Sequence, residues 1–120
     1  PQAHGDAVRE GMWAVINESG GTAHRVFGPA PLNFTACGKT GTATASKQMI
    51  DTDEDGRLDT VVNEGDMGWF VGFAPYENPQ VAIAVVVEYV DRGGGRTAGP
   101  IARDVLEYCE AFGYVDGGKR

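Results

Sequence analysis

The chain has 120 residues, with 10 basic and 17 acidic side chains, a formal net charge of −7 and a pI near 4.6. That length is below the ~150 residues of a typical domain, so the chain is one domain or part of one. The negative balance argues against nucleic acid, whose binding needs a basic face to displace counterions. The longest apolar run, residues 81–87, is far short of the ~18 residues of a membrane span.

Residues 6–17 read as a helix, because Val8, Met12, Val15 and Ile16 fall on one face of a 3.6-residue period. Asp6 is the expected N-cap, and residues 17–21 (Asn-Glu-Ser-Gly-Gly) supply the turn that ends it. Pro29 and Pro31 mark a loop. Residues 32–46 carry Phe34, Thr35, Cys37, Thr40, Thr42 and Thr44 with no helical stripe, and read as a strand with Gly38 and Gly41 inside it. Residues 51–66 hold seven acids and one base, Arg57, for a net −6. The acidity therefore belongs to one loop, read as an insertion over 48–66.

Residues 69–74 and 81–90 read as two strands joined by a turn at 75–79. In the second, Val81, Ile83, Val85 and Val87 share one face and Ala82, Ala84 and Val86 the other. Two apolar faces predict cover on both sides. Gly93, Gly94 and Gly95 read as a flexible loop, and Pro100 suits the first position of a last helix. Ile101, Val105, Tyr108, Cys109 and Phe112 form its expected buried stripe, with Gly113 as its stop. Residues 116–120 read as a frayed tail after a unit of 1–115. The expected fold class is α+β, an antiparallel sheet flanked by helices, forming the end of a larger domain. Cys37 and Cys109 fit no metal-ligand spacing, and a disulfide between them stays open.

The sharpest chemical signal is Gly38-Lys39-Thr40-Gly41-Thr42-Ala43. On an extended strand Thr40 and Thr42 point to one face, where two hydroxyls can bind a carboxylate. Gly41 removes a side chain and admits a ligand to the backbone, and Lys39 adds a compact positive charge. A phosphate loop would need a glycine where Asn33 stands, so the nucleotide-binding reading fails.

A Lys-Thr-Gly triplet arises often by chance, but its context here resembles the penicillin-binding protein family, the serine D,D-transpeptidases that cross-link peptidoglycan. The resemblance runs through Gly11-Met12 with Val15-Ile16-Asn17, Gly21-Thr22-Ala23 and the Lys-Thr-Gly run. It continues through Trp69-Phe70-Val71-Gly72-Phe73-Ala74-Pro75, the strand at 81–88, the Gly-rich loop and Pro100-Ile101-Ala102. Lys-Thr-Gly is the third signature of that superfamily, beside Ser-x-x-Lys and Ser-Asp-Asn. The resemblance implies that Lys39 contributes positive potential and proton-relay contacts. It implies that Thr40, Gly41 and Thr42 bind the terminal carboxylate of a D-Ala-D-Ala stem peptide or of a β-lactam. The Thr42 N–H would be one half of the oxyanion hole. The reaction would be acyl transfer through a serine ester, with no cofactor required.

No serine in the chain has a lysine three positions later, and no Ser-x-Asn occurs. Tyr76-Glu77-Asn78 mimics a variant of the second signature, but it falls in a hairpin turn. The nucleophile is thus expected in an upstream part of the domain, which would be this chain's first partner, and the chain alone is expected to be inactive. The parent would face the periplasm or outer cell surface, tied to the membrane only by an anchor absent from these residues. A carboxypeptidase, a β-lactamase or a penicillin sensor of the same superfamily are the alternatives.

Residues 51–59 match the first nine positions of a calcium loop, with Asp51, Asp53, Asp55 and Asp59 at positions 1, 3, 5 and 9, Gly56 at 6 and the Arg57 carbonyl at 7. Leu58 is the expected apolar anchor. The match ends at Val62, where an EF-hand has its bidentate Glu. A structural calcium is therefore one expectation, a solvated acidic loop the other, and a calcium-stabilised interaction module is the non-enzymatic alternative. That module would need a complete core; an exposed apolar sheet would count against it.

Overall fold

The structure, a computed structural model, describes residues 1–117; positions 118–120 of the expected tail lie outside the described residues. The elements in chain order are α1 (Gln2–Asn17), α2 (His24–Phe27), β1 (Cys37–Thr44), β2 (Gln48–Ile50), β3 (Thr60–Asn63), β4 (Asp66–Ala74), β5 (Val81–Val90) and α3 (Gly94–Ala111). The class is α+β. A three-stranded antiparallel sheet has the order β1-β4-β5, and β2 and β3 form a separate two-stranded ribbon.

Helix α1 begins at Gln2, so Asp6 lies inside it and is not its cap. Residues 2–5 (Gln-Ala-His-Gly) contain no proline and the helix tolerates the isolated Gly5, while Asp6 accepts the Gln2 side-chain amide at 3.2 Å. Only the C-terminal end of the expected stripe packs: Ile16 is buried, Met12 and Val15 are half-buried, and Val8 is exposed. Strand β1 starts at Cys37, with 32–36 a loop before it. The short β2 and β3, and α2, lack a sequence period long enough to announce them.

The largest departure is in α3. The helix starts six residues before Pro100, which lies in its interior, and Gly93 caps it. Its buried face is Gly94, Ala98, Ala102 and Leu106, while Ile101, Val105, Tyr108 and Phe112 of the expected stripe are exposed and Cys109 is half-buried. The reason is distance. A Cβ at Gly94 would stand 2.1 Å from the Trp69 carbonyl oxygen, and one at Gly68 would stand 2.2 Å from Thr97 Oγ1. The helix enters so close to β1 and β4 that only small residues fit beneath it. Gly113, at φ +79°, closes the helix as expected, with the Tyr114 N–H on the Cys109 carbonyl at 2.8 Å.

The core gathers Ile16, Phe27, Ala36, Phe70, Ala98, Ala102 and Leu106, with the Phe27 and Phe70 rings stacked at 5.7 Å. The Val81, Ile83, Val85 and Val87 face of β5 packs against it. The other face does not have its expected cover: Ala82, Ala84 and Val86 are exposed, as are Trp69 and Val71 beside them on β4. Among the described residues strand β5 is an edge, and the core lies on the opposite face of the sheet. At the C-terminal end Asp116, the first residue of the expected tail, is tied down. Val115 is buried, and Asp116 exchanges two 2.7 Å hydrogen bonds with the Gln80 side chain.

Substitution of Leu106 by Ala in the 120-residue chain should lower unfolding free energy by about 2–5 kcal/mol, the usual cost of emptying a buried leucine site. Val105→Ala, at a residue 42% exposed, should change it by less than about 1 kcal/mol. Urea unfolding midpoints read the two. Equal losses would mean that Val105 faces the core as Leu106 does.

Candidate functional site

Strand β1 pairs with β4 along one edge and has no strand on the other among the described residues. In register, Thr40 lies opposite Phe70 and Thr42 opposite Gly68, so both threonines rise from the face on which α3 sits. Lys39, opposite Val71, starts from the other face. Its amine curls round to donate to the Thr40 carbonyl at 2.6 Å. In an antiparallel ladder, residues i and i+2 direct their backbone groups to the same edge. The Thr42 N–H therefore shares the edge of the Thr40 carbonyl.

Three segments converge on these hydroxyls. From the loop after α1, Thr22 Oγ1 lies 2.8 Å from Thr40 Oγ1. From the start of α3, the Gly94 N–H reaches Thr42 Oγ1 at 3.4 Å. Together Thr22, Thr40, Gly41, Thr42 and residues 93–96 enclose an open cavity of about 320 Å³. Arg96 is the one charged side chain in its lining, and the N-terminal end of α3 adds the positive end of a helix dipole. The arrangement suits an anion. Of this lining the sequence analysis named Thr40, Gly41 and Thr42 as candidates; it gave no role to Thr22, which meets Thr40 across 18 residues, or to Arg96, which the start of α3 brings to the same cavity. The Gly93–Gly95 segment, read as a flexible loop, is instead the cap and first turn of α3.

A second cavity of about 300 Å³, between the end of α1, α2 and the 31–36 loop, shares no residue with the first. Its one titratable side chain, His24, is tied by Nδ1 to the Ile16 carbonyl at 3.0 Å. Tyr76-Glu77-Asn78 sits in the β4–β5 connection at the Cys37 end of the sheet. There the Tyr76 carbonyl accepts Arg9 and its N–H binds the Thr35 carbonyl.

The acidic segment leaves β1 after Thr44 and returns at Asp66, directly opposite Thr44. The segment that carries the β2–β3 ribbon thus departs from β1 two residues beyond Thr42. At its tip, carboxylate oxygens of Asp51, Asp53 and Asp59 come within 4.8 Å of one another. Asp55 is not in this group; it accepts the Arg57 N–H at 2.8 Å. Leu58 is exposed and anchors nothing. Desolvation raises the Asp51 pKa, but the Gly56 N–H, the Asp53 side chain and neighbouring N–H groups outweigh it, for a net lowering. The Thr60 and Thr52 hydroxyls hold Asp59 below the usual carboxylate range.

Residues 2–107 match the family described as penicillin binding protein transpeptidase domain. Among curated proteins the chain is 33% identical over 106 residues to peptidoglycan D,D-transpeptidase MrdA of Haemophilus influenzae, covering 86% of this chain and 15% of that protein. It is 33% identical over 104 residues to the Escherichia coli K12 protein of the same name, covering 86% and 16%. Among solved structures it is similar to Pseudomonas aeruginosa PBP2 in complex with WCK 5153, with a TM-score of 0.66, 32% identity, and coverage of 93% of this chain and 20% of that one. It is also similar to Helicobacter pylori PBP2 in its complex with MreC, with a TM-score of 0.69, 27% identity, and coverage of 92% and 18%. The chain spans less than a fifth of the length of these curated relatives.

Cys37, at the head of β1, is fully buried, and Cys109 is half-buried; both are free thiols. Burial pushes the Cys37 thiol up to about 11, against a smaller opposing pull from Arg9. Between pH ~9 and ~11 the unfolded thiol ionises and the folded one does not, so the folded state binds the extra proton and stability falls as pH rises. At pH 8 a small alkylating reagent should modify Cys109 well before Cys37, read by mass after timed quenching. Equal rates would contradict the buried position of Cys37.

Proposed function

We propose that this chain, which belongs to the penicillin-binding protein transpeptidase family, supplies the substrate-binding strand of a peptidoglycan-cross-linking D,D-transpeptidase. One observation carries the reading: the Thr40 and Thr42 hydroxyls and Arg96 line one solvent-open cavity on a strand with an unpaired edge, and the Lys39 amine donates to the Thr40 carbonyl of the same strand. An extended peptide can lie along such an edge with its terminal carboxylate among them.

In this reading the Thr40 and Thr42 hydroxyls hold the carboxylate of a D-Ala-D-Ala stem peptide, or of a β-lactam that mimics it. Gly41 lets the peptide approach the backbone. The Thr42 N–H donates to the oxyanion, a contact of about 3–4 kcal/mol in the transition state. Lys39 supplies positive potential. The serine comes from another part of the parent protein, since no Ser-x-x-Lys occurs in these residues. Its oxygen bonds to the penultimate D-Ala carbonyl carbon, and the terminal D-Ala leaves with a proton on its amine. An amine of a second stem peptide then displaces the ester. The catalytic region of the parent works on the periplasmic or outer face of the membrane. The named activity of the relatives favours transpeptidase over the carboxypeptidase, β-lactamase and sensor alternatives.

The rest of the parent covers the bare sheet face of Trp69, Val71, Ala82, Ala84 and Val86 and pairs the free edge of β5, which a stable protein does not leave open. That bare face counts against a self-sufficient interaction module. For the acidic ribbon, the reading is a structural calcium held by Asp51, Asp53 and Asp59, with the Arg57 carbonyl and the second-sphere Asp55 alongside. The approach of three carboxylates in a calcium-loop sequence supports it.

Fluorescent penicillin should label the complete parent protein on a peptide outside these 120 residues. Thr40→Val should slow labelling by about tenfold or more, the loss of a hydrogen bond to a charged group. Label on this chain itself would contradict the assignment of the nucleophile. Separately, millimolar calcium should raise the melting temperature, and Asp51→Asn with Asp53→Asn should remove the rise. An unchanged melting curve would leave the ribbon a solvated loop.

A further inference from the structure

We propose that Thr22 is a positioning residue for the anion seat on β1, acting through the Thr40 hydroxyl. The inference rests on the transpeptidase reading and deepens it, because it adds to that site a residue outside the Lys-Thr-Gly strand.

Thr22 is held from both sides. A Cβ at Gly21 would stand 2.2 Å from the Val15 carbonyl oxygen, so residue 21 is pressed against the last turns of α1. Ala23 is fully buried, and its N–H binds that same carbonyl at 3.0 Å. The first turn of α3 closes over the pair. A Cβ at Gly95 would stand 2.7 Å from the Thr22 carbonyl oxygen and 3.3 Å from Thr40 Cγ2. The Thr22 hydroxyl, 2.8 Å from that of Thr40, has no other hydrogen-bond partner among the described residues.

Each hydroxyl has one proton and can accept as well as donate. A carboxylate only accepts. When it binds at Thr40, the Thr40 proton points to it, and the Thr40 oxygen is left to accept the proton of Thr22. The order is then Thr22 to Thr40 to anion, and each bond polarises the next. Without Thr22 the Thr40 hydroxyl loses its fixed donor and is free to rotate. The loss should be felt by an anionic ligand and not by a neutral one of the same shape.

The test compares acylation of the complete parent protein by a β-lactam with its free carboxylate and by the methyl ester of the same compound. Thr22→Val should slow the acid by about five- to tenfold, as expected for one relayed hydrogen bond, and the ester by less than twofold. Thr22→Ala, which also lacks the hydroxyl but adds no bulk, should show the same split if the valine variant folds poorly. Thr22→Ser should restore the acid rate. An unchanged acid rate in both hydroxyl-free variants would overturn the proposal, as would equal slowing of acid and ester, the mark of a packing role. Failure of the unmodified parent to acylate with either compound would instead overturn the transpeptidase reading, and this inference with it.

Discussion

The close seating of α3 on the sheet is the constraint on which the rest of the structure depends. Helix and strand backbones meet at Gly94 and Gly68 with no side-chain layer between them. Stacked sheets stand about 10 Å apart because side chains fill the gap between the backbones, and a helix on a sheet needs such a layer too. Here the gap closes at one end, and the closure brings Gly94 against the Trp69 and Gly41 carbonyls. The start of α3 consequently becomes one wall of the cavity that Thr40 and Thr42 face. A larger residue at either glycine would lift the helix and open the site.

The same seating decides which residues form the core. Ala98 and Ala102 are buried on α3 beyond the close approach at Gly94, and the volume comes from Phe70 of the sheet, Phe27 of α2 and Leu106 further along α3. Apart from Leu106, the big apolar residues of α3 are left on its outer face, where Tyr108 and Phe112 stack on each other at 6.3 Å. Together with the bare face of β4 and β5, this leaves large apolar side chains exposed on both elements, the kind of surface that marks a contact with further protein. The short fraction of the relatives' length that the chain spans fits that surface.

The acidic ribbon follows different physics. It contributes nothing to the core, pairs only with itself, and is tied at its base by the Lys47–Glu64 ion pair at 2.7 Å. Its order is local: Asp51 accepts the Gly56 N–H at 2.7 Å, and the Thr52 hydroxyl binds Asp59 at 2.8 Å. Such carboxylate-to-backbone bonds can form in sequence isolation, which is why the motif was legible without the fold. Its nearness to the site was not. That follows from the pairing of Thr44 with Asp66, which returns the chain to β4 beside the strand it left.

The sequence by itself determined the features that depend on short range: the alternation that puts Thr40 and Thr42 on one face, the two long strands, the stop at Gly113, the acidic turn and the family resemblance. Residues one or two apart on a strand, or within one turn, have their geometry set by covalent spacing and local hydrogen bonds. Only the tertiary structure decided which face of α3 is buried, that Pro100 lies inside the helix, that one face of β5 is bare, and that Thr22 and Arg96 join the site. Each of these turns on a contact between distant segments. Hydrophobic periodicity assumes that large side chains fill an interface along its whole length, and here the interface around Gly94 leaves no room for them, so that Leu106 is the one large residue of α3 among the fully buried side chains.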